Sequence, residues 1–153
     1  MTGENAKARL LELAARCEAA SGPERELDRD IMLVAVPCDR APFRYWAPMN
    51  ENTGHGAVDV ERVYYAPHCA QAVAVPKFSA SLDAAMSLRP DGWTIAQLGE
   101  SDTGGWWAEL RRGHRTSYDA TAFGKQLENA SPALALTAAC LRARALATQG
   151  EAE

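Results

Sequence analysis

Apolar residues recur at helical spacing through the first part of the chain. From Ala6 to Ala20, Leu10, Leu13, Ala14 and Cys17 fall on one stripe, with Lys7, Arg9, Glu12 and Glu18 around the rest of the barrel. Ser21-Gly22-Pro23 breaks this helix: glycine suits a helix exit, and proline suits a first helical position because its missing N–H has no partner there. Ser21 and Glu24 have the spacing of a capping box. The second helix is expected to bury Leu27, Ile31, Val34 and Ala35, to solvate Arg25, Glu26, Asp28 and Arg29, and to end at Pro37. Two short amphipathic helices with so tight a link predict a helical hairpin.

Residues 37–77 differ in character. They hold Pro37, Pro42, Pro48, Pro67 and Pro76, and the aromatics Phe43, Tyr45, Trp46, Tyr64 and Tyr65. Val58 to Tyr65 and Ala70 to Val75 are β-prone and predict a hairpin. The signals sharpen afterwards. Ser79 or Ser81 caps a short helix carrying Leu82, Ala85 and Met86. Pro90-Asp91-Gly92 is a turn, Trp93 to Leu98 a strand, Ser101 to Gly105 a turn, and Trp106 to Arg111 a second strand. Arg112-Gly113-His114 turns into a third, Thr116 to Phe123. Ser131-Pro132 opens the last helix, with Leu134, Ala138, Leu141 and Ala145 on its apolar stripe. The pattern is therefore α+β: an antiparallel sheet of three or more strands layered with helices, its C-terminal part in α-β-β-β-α order. The N-terminal hairpin is expected on the sheet's second surface, which gives an α-β-α sandwich.

At 153 residues the chain fits one domain over 1–153, with 37–77 as a proline- and aromatic-rich insert and 150–153 as a frayed tail. It is 47% hydrophobic and 24% charged, a globular composition that excludes general disorder. Sixteen basic against twenty acidic residues give a net charge of −4, which argues against bulk attraction to nucleic acid or anionic lipid. There is no apolar run long enough to span a bilayer, and the opening Met1-Thr2-Gly3-Glu4 is unlike a signal peptide, so a cytoplasmic location is expected. Cys17, Cys38, Cys69 and Cys140 show no metal-knuckle spacing; Cys17 and Cys140 sit on helical stripes, and reduced thiols are expected.

Three stretches resemble the phage ABA-sandwich domain family of small phage- and prophage-encoded proteins. They are Leu10-Leu11-Glu12-Leu13-Ala14 through Ser21-Gly22-Pro23 to Leu27-Asp28; Phe78 to Met86 followed by Pro90-Asp91-Gly92-Trp93; and Ser131 to Leu136 with Ala138 to Ala143. The resemblance implies a layered α/β fold and a phage or prophage gene, and it brings no catalytic residues. Residues 37–77 depart from the family pattern.

The candidate chemistry is sparse. No nucleophile elbow, Walker loop or HExxH is present, so no catalytic residue, cofactor or metal is predicted. His55 and the pair His68-Cys69 lack an orienting third group, and Asp28 and Asp30 lie on different helix faces. Consecutive Trp106 and Trp107 must point to opposite sheet faces, one into the core and the other beneath the helical hairpin. Arg44-Tyr45-Trp46, in a proline-bounded loop, has the residue types that dominate protein interfaces. The alternative is nucleic-acid binding through Arg111, Arg112 and Arg115 on a hairpin turn. The strand order matches double-stranded RNA-binding domains, yet the last helix begins Glu128-Asn129-Ala130-Ser131-Pro132-Ala133, with no base to hold a phosphate. The expectation is a non-enzymatic phage or prophage accessory protein that binds a host or phage protein, with inhibition of a host defence complex as the sharper form.

Overall fold

The computed structural model describes residues 3–35, 42–52, 57–65, 72–114, 117–126 and 131–150, with the backbone alone for 42–52, 57–65, 72–74, 114 and 149–150. The elements run α1 (Gly3–Ala19), α2 (Arg25–Ala35), β1 (Pro42–Asn52), β2 (Ala57–Tyr65), β3 (Ala72–Ala74), α3 (Leu82–Ser87), β4 (Trp93–Glu100), β5 (Trp106–His114), β6 (Ser117–Gln126) and α4 (Pro132–Gly150). The fold is α+β, with antiparallel sheets ordered β1-β2-β3 and β4-β5-β6.

The centre of the molecule is α4. Ser131 opens it, its Oγ accepting the Ala133 N–H at 3.1 Å. Every residue from Ala133 to Leu141 is uncharged and buried, so the apolar surface runs round the whole helix and not along one stripe. α4 packs against β4, β5, β6, α1 and α3. Its contact with the sheet is backbone-close at Gly124, where an added Cβ would meet the Ala135 carbonyl oxygen at 1.9 Å. A glycine is required there because of that approach.

The N-terminal hairpin buries Leu10, Leu13, Ala14 and Cys17 from α1, the stripe that the spacing predicts. From α2 it buries Leu27, Ile31, Met32 and Ala35, while Val34 is only half-buried. The hairpin does not cover the second surface of the β4–β6 sheet: α1 lies on α4 and the flank of β6, and α2 lies on α1. Periodicity identifies an apolar face without saying what that face meets, and here it meets another helix.

Asp28 overturns the expectation of a solvated side chain. It is fully buried, accepts the Ser79 N–H at 2.7 Å and pairs with Arg25 Nη1 at 2.8 Å. Arg25 also donates to the Val75 and Pro76 carbonyls at 3.0 and 3.3 Å. Ser79 does not cap α3; its Oγ accepts the Glu24 N–H at 3.0 Å, in place of the Ser21 capping box. Ser81 is the cap of α3, accepting from Ala84. Between these ties Phe78 is fully buried, and its carbonyl accepts the Thr137 hydroxyl at 2.9 Å. Residues 75–79 thus clip α2 to α4.

A second clip closes the outer edge of β6. Glu18 accepts from Arg142 Nη2 at 2.7 Å, and Arg142 Nη1 also bonds Glu18. Glu18 takes the Lys125 N–H at 2.9 Å, and Arg142 donates to the Phe123 carbonyl at 2.7 Å. Next to them, the Gln126 amide donates to the Cys17 and Ala20 carbonyls, both at 2.7 Å, which satisfies the end of α1. One ion pair therefore occupies backbone groups that an edge strand otherwise leaves open.

β2 and β3 pair as the β-prone segments predict. β1 departs from the sequence expectation: Pro42 and Pro48 predict a loop, yet both lie in an edge strand, where a missing ladder N–H is tolerated. Pro37 and residues 151–153 lie outside the described residues.

Two outcomes are expected. Asp28→Ala removes the acceptor shared by Ser79 and Arg25 and costs about 3 kcal/mol, read as a lower urea midpoint. Asp30→Ala breaks only the half-exposed pair with Arg16 and costs less than about 1 kcal/mol. The Glu18 carboxyl is pushed up by burial, but the hydrogen bonds from Arg142 and the Lys125 N–H outweigh this and hold it below its ordinary 4.5. A depressed carboxyl stabilises the fold above its unfolded value and loses that contribution as pH falls. Thermal melts of the wild type should therefore drop as pH falls below about 4.5, and Glu18→Gln should flatten that part of the drop.

Candidate functional site

Strand parity and register sort the β4–β6 sheet into two faces. Trp106, Ala108, Leu110 and Arg112 of β5 share one face with Trp93, Ile95 and Leu98 of β4 and Ala120, Ala122, Gly124 and Gln126 of β6. Trp93, Ala108, Leu110, Ala122, Gly124 and Gln126 are buried, and Trp106 packs against the core. The opposite face carries Trp107, Glu109 and Arg111 beside Thr94, Gln97 and Gly99 of β4 and Thr121, Phe123 and Lys125 of β6. Since the helices stack on the first face, this second face is open. Phe123 is 56% and Tyr118 42% exposed, and Thr94, Gln97, Thr121 and Lys125 are exposed with them. Trp107 was expected beneath the helical hairpin; it lies instead on the open face, half-buried against Gly99, where an added Cβ would stand 3.1 Å from its Nε1.

Glu109, Arg111, Arg112 and Asp119, on and beside this face, compensate one another's charge. Glu109 is only 7% exposed and accepts from Arg111 Nε at 2.6 Å. The Arg111 guanidinium also lies 5.0 Å from the Tyr118 ring, and its hydrogen bond to Glu109 raises its pKa. At the start of β4, Arg112 Nε donates to Asp119 at 2.9 Å, with its guanidinium 5.7 Å from the Trp93 ring. The hydrogen bond from Arg112 holds the Asp119 carboxyl below its ordinary value. Gly113, at φ +116°, supplies the left-handed backbone of the adjoining turn. Arg111 and Arg112, two of the three arginines of the candidate phosphate site, are thus engaged by neighbouring acids. The third, Arg115, lies outside the described residues.

Beside the open face, a groove of about 450 Å³ runs between α1, β6 and α4. Leu11, Phe123 and Leu146 line it, with Lys7 and Thr121 at its polar margin. Leu11 is 40% exposed. Phe123 therefore belongs both to the flat aromatic surface and to the groove.

Arg44, Tyr45 and Trp46 lie in β1 and not in a loop, at the register irregularity between Pro42 and Trp46. His55, His68, Cys69 and Cys38 lie outside the described residues. Cys17 and Cys140 are free and buried. Burial pushes both thiols up to about 12, the Asp28 charge adding to this at Cys17, while Arg144 and Arg89 oppose it at Cys140. Thiols so placed are poor nucleophiles at neutral pH. Among the described residues no group of three or more His, Cys, Asp or Glu is arranged to hold a metal ion, and no helix is long and apolar enough to cross a membrane. Comparison of the chain with family models, curated proteins and solved structures returns no match.

Iodoacetamide applied to the native protein at mildly alkaline pH should leave Cys17 and Cys140 unmodified. Both should react once guanidinium chloride unfolds the chain. Peptide mass mapping reads each thiol separately, and native labelling of Cys17 or Cys140 would show that these thiols are more accessible than described.

Proposed function

We propose that this chain is a non-enzymatic binding protein that docks a partner protein on the open face of its β4–β6 sheet. The observation that carries the reading is the combination of Phe123, Tyr118 and Trp107 on a face that, among the described residues, no helix covers. Aromatic side chains on a rigid sheet, next to a groove that takes an apolar side chain, have the make-up of an interface hot spot. The charge pattern favours a protein over a polyanion. Arg111 is neutralised by Glu109 and Arg112 by Asp119, so few cations remain to displace counterions from phosphates. The partner surface fitting this face carries a protruding apolar or aromatic residue and little net charge.

The setting follows from the resemblance to phage ABA-sandwich proteins: a phage or prophage accessory protein in the host cytoplasm, bound to a host or phage protein. A host defence complex whose function the docked chain blocks is the sharper form. The edge strand β1, which carries Arg44, Tyr45 and Trp46, is the second element proposed to make such contacts.

The test starts with affinity capture from host cells and continues with titration of the purified partner. Phe123→Ser should leave the fold intact, because the side chain is exposed, and should weaken the complex roughly thirtyfold, the loss of one hot-spot residue. Unchanged affinity in Phe123→Ser and in Tyr118→Ala would remove the open face from the reading. A salt-dependent shift with nucleic acid, abolished by replacing Arg111, Arg112 and Arg115 with alanine, would replace protein binding with the nucleic-acid alternative.

A further inference from the structure

The helical side of the molecule holds a second opening, independent of the sheet face. A cleft of about 680 Å³ lies between the start of α1, the end of α2, the turn from α3 to β4, and the last turns of α4. Its size suits a small organic molecule. Leu10, Val34 and Ala147 give it apolar lining, and Arg89, Asp91 and Arg144 give it charged lining.

The arginines set this cleft apart. Arg16, Arg25, Arg111, Arg112 and Arg142 are each joined to a carboxylate in an ion pair. Among the described residues Arg144 has no such pair, although it is half-buried. Its Nε donates to the Leu88 carbonyl at 2.5 Å, which anchors one edge of the guanidinium and leaves both terminal amino groups without a hydrogen-bond partner among the described residues. Leu88 is itself buried at the end of α3, so the anchor is rigid. Arg89 follows Leu88 directly in the chain and lines the same cleft as Arg144. Among the described residues Asp91 is the only acid lining the cleft, beside the two cations Arg89 and Arg144. Burial lowers the pKa of Arg144, and this outweighs the opposing effects of Cys140 and the Asp91 charge.

We propose that this cleft binds a small molecule in which a phosphate or carboxylate group is attached to an apolar body. Arg144 and Arg89 take the oxyanion, and the apolar lining of Leu10, Val34 and Ala147 takes the body. A planar guanidinium fixed at Nε presents its two amino groups as a fork, which matches the paired oxygens of either oxyanion. The apolar lining supplies the preference for an organic anion over a bare one.

Phenyl phosphate, benzoate and inorganic phosphate are the probes, titrated into the full chain by calorimetry and by amide chemical shifts. Saturable one-to-one binding of phenyl phosphate or benzoate is expected, tighter than that of inorganic phosphate, with shifts at residues 87–91 and 144–148. The relative affinities of phenyl phosphate and benzoate identify which oxyanion is preferred. Arg144→Gln should weaken binding about tenfold or more, as loss of charge-assisted hydrogen bonds does, and Arg144→Lys should recover part of it. Arg89→Gln, at an exposed position that leaves packing untouched, should also weaken binding. Affinity unchanged in Arg89→Gln and Arg144→Gln, or equal binding of uncharged benzyl alcohol, would overturn the proposal. Because the cleft and the sheet face share no residue, its failure leaves the docking reading intact, and Phe123→Ser should not alter phenyl phosphate binding.

Discussion

A helix that is apolar around its whole circumference has to be surrounded. The uncharged run Ala133–Leu141 imposes this on everything else in the structure. The β4–β6 sheet covers part of it, and α1 and α3 cover more, so the helices gather on the same side of that sheet. The other sheet face is left bare as a direct result. The open aromatic surface is thus a consequence of how the core is closed, and the cleft holding Arg89 and Arg144 forms where the start of α1 meets the ends of α2 and α4.

Polar groups make this packing specific. Hydrophobic burial alone would let α2 and the segment before α3 slide against α4. The Asp28 carboxylate, the Ser79 hydroxyl and the Thr137 hydroxyl each bond a particular backbone group, and together they fix Phe78 in one place. Such buried polar contacts narrow the number of arrangements that satisfy them. Glu18 and Arg142 do the same at the surface, setting the position of α1 against β6 through main-chain atoms and not through shape alone.

Much of the helical and strand order is legible in the sequence, because it is local. The Leu10–Cys17 stripe, the Ser131-Pro132 cap and the Pro90-Asp91-Gly92 turn each act within a few residues, and the structure has all three. What escaped depends on distant partners. Asp28 looks solvated until Ser79, far along the chain, arrives to bury it; Arg25, three residues before it, was the local clue. β1 was hidden by Pro42 and Pro48, since only pairing shows that they sit on an edge. Parity separated Trp106 from Trp107 correctly, but it carries no information on which face the helices choose. The open face was partly readable, as Glu109 and Arg111 share a strand face and carry opposite charge. The cleft was not readable at all, because its walls come from four separate parts of the chain.

The two flanks of the β4–β6 sheet are unequal. Along the C-terminal half of β6, Glu18 and Arg142 occupy the outward N–H of Lys125 and the outward carbonyl of Phe123, whereas β4 has no strand on its outer side among the described residues. A ribbon partly occupied on one rim and free on the other offers more open backbone along β4. Two copies that joined through β4 would turn the half-occupied β6 rims outward, which disfavours further lateral addition.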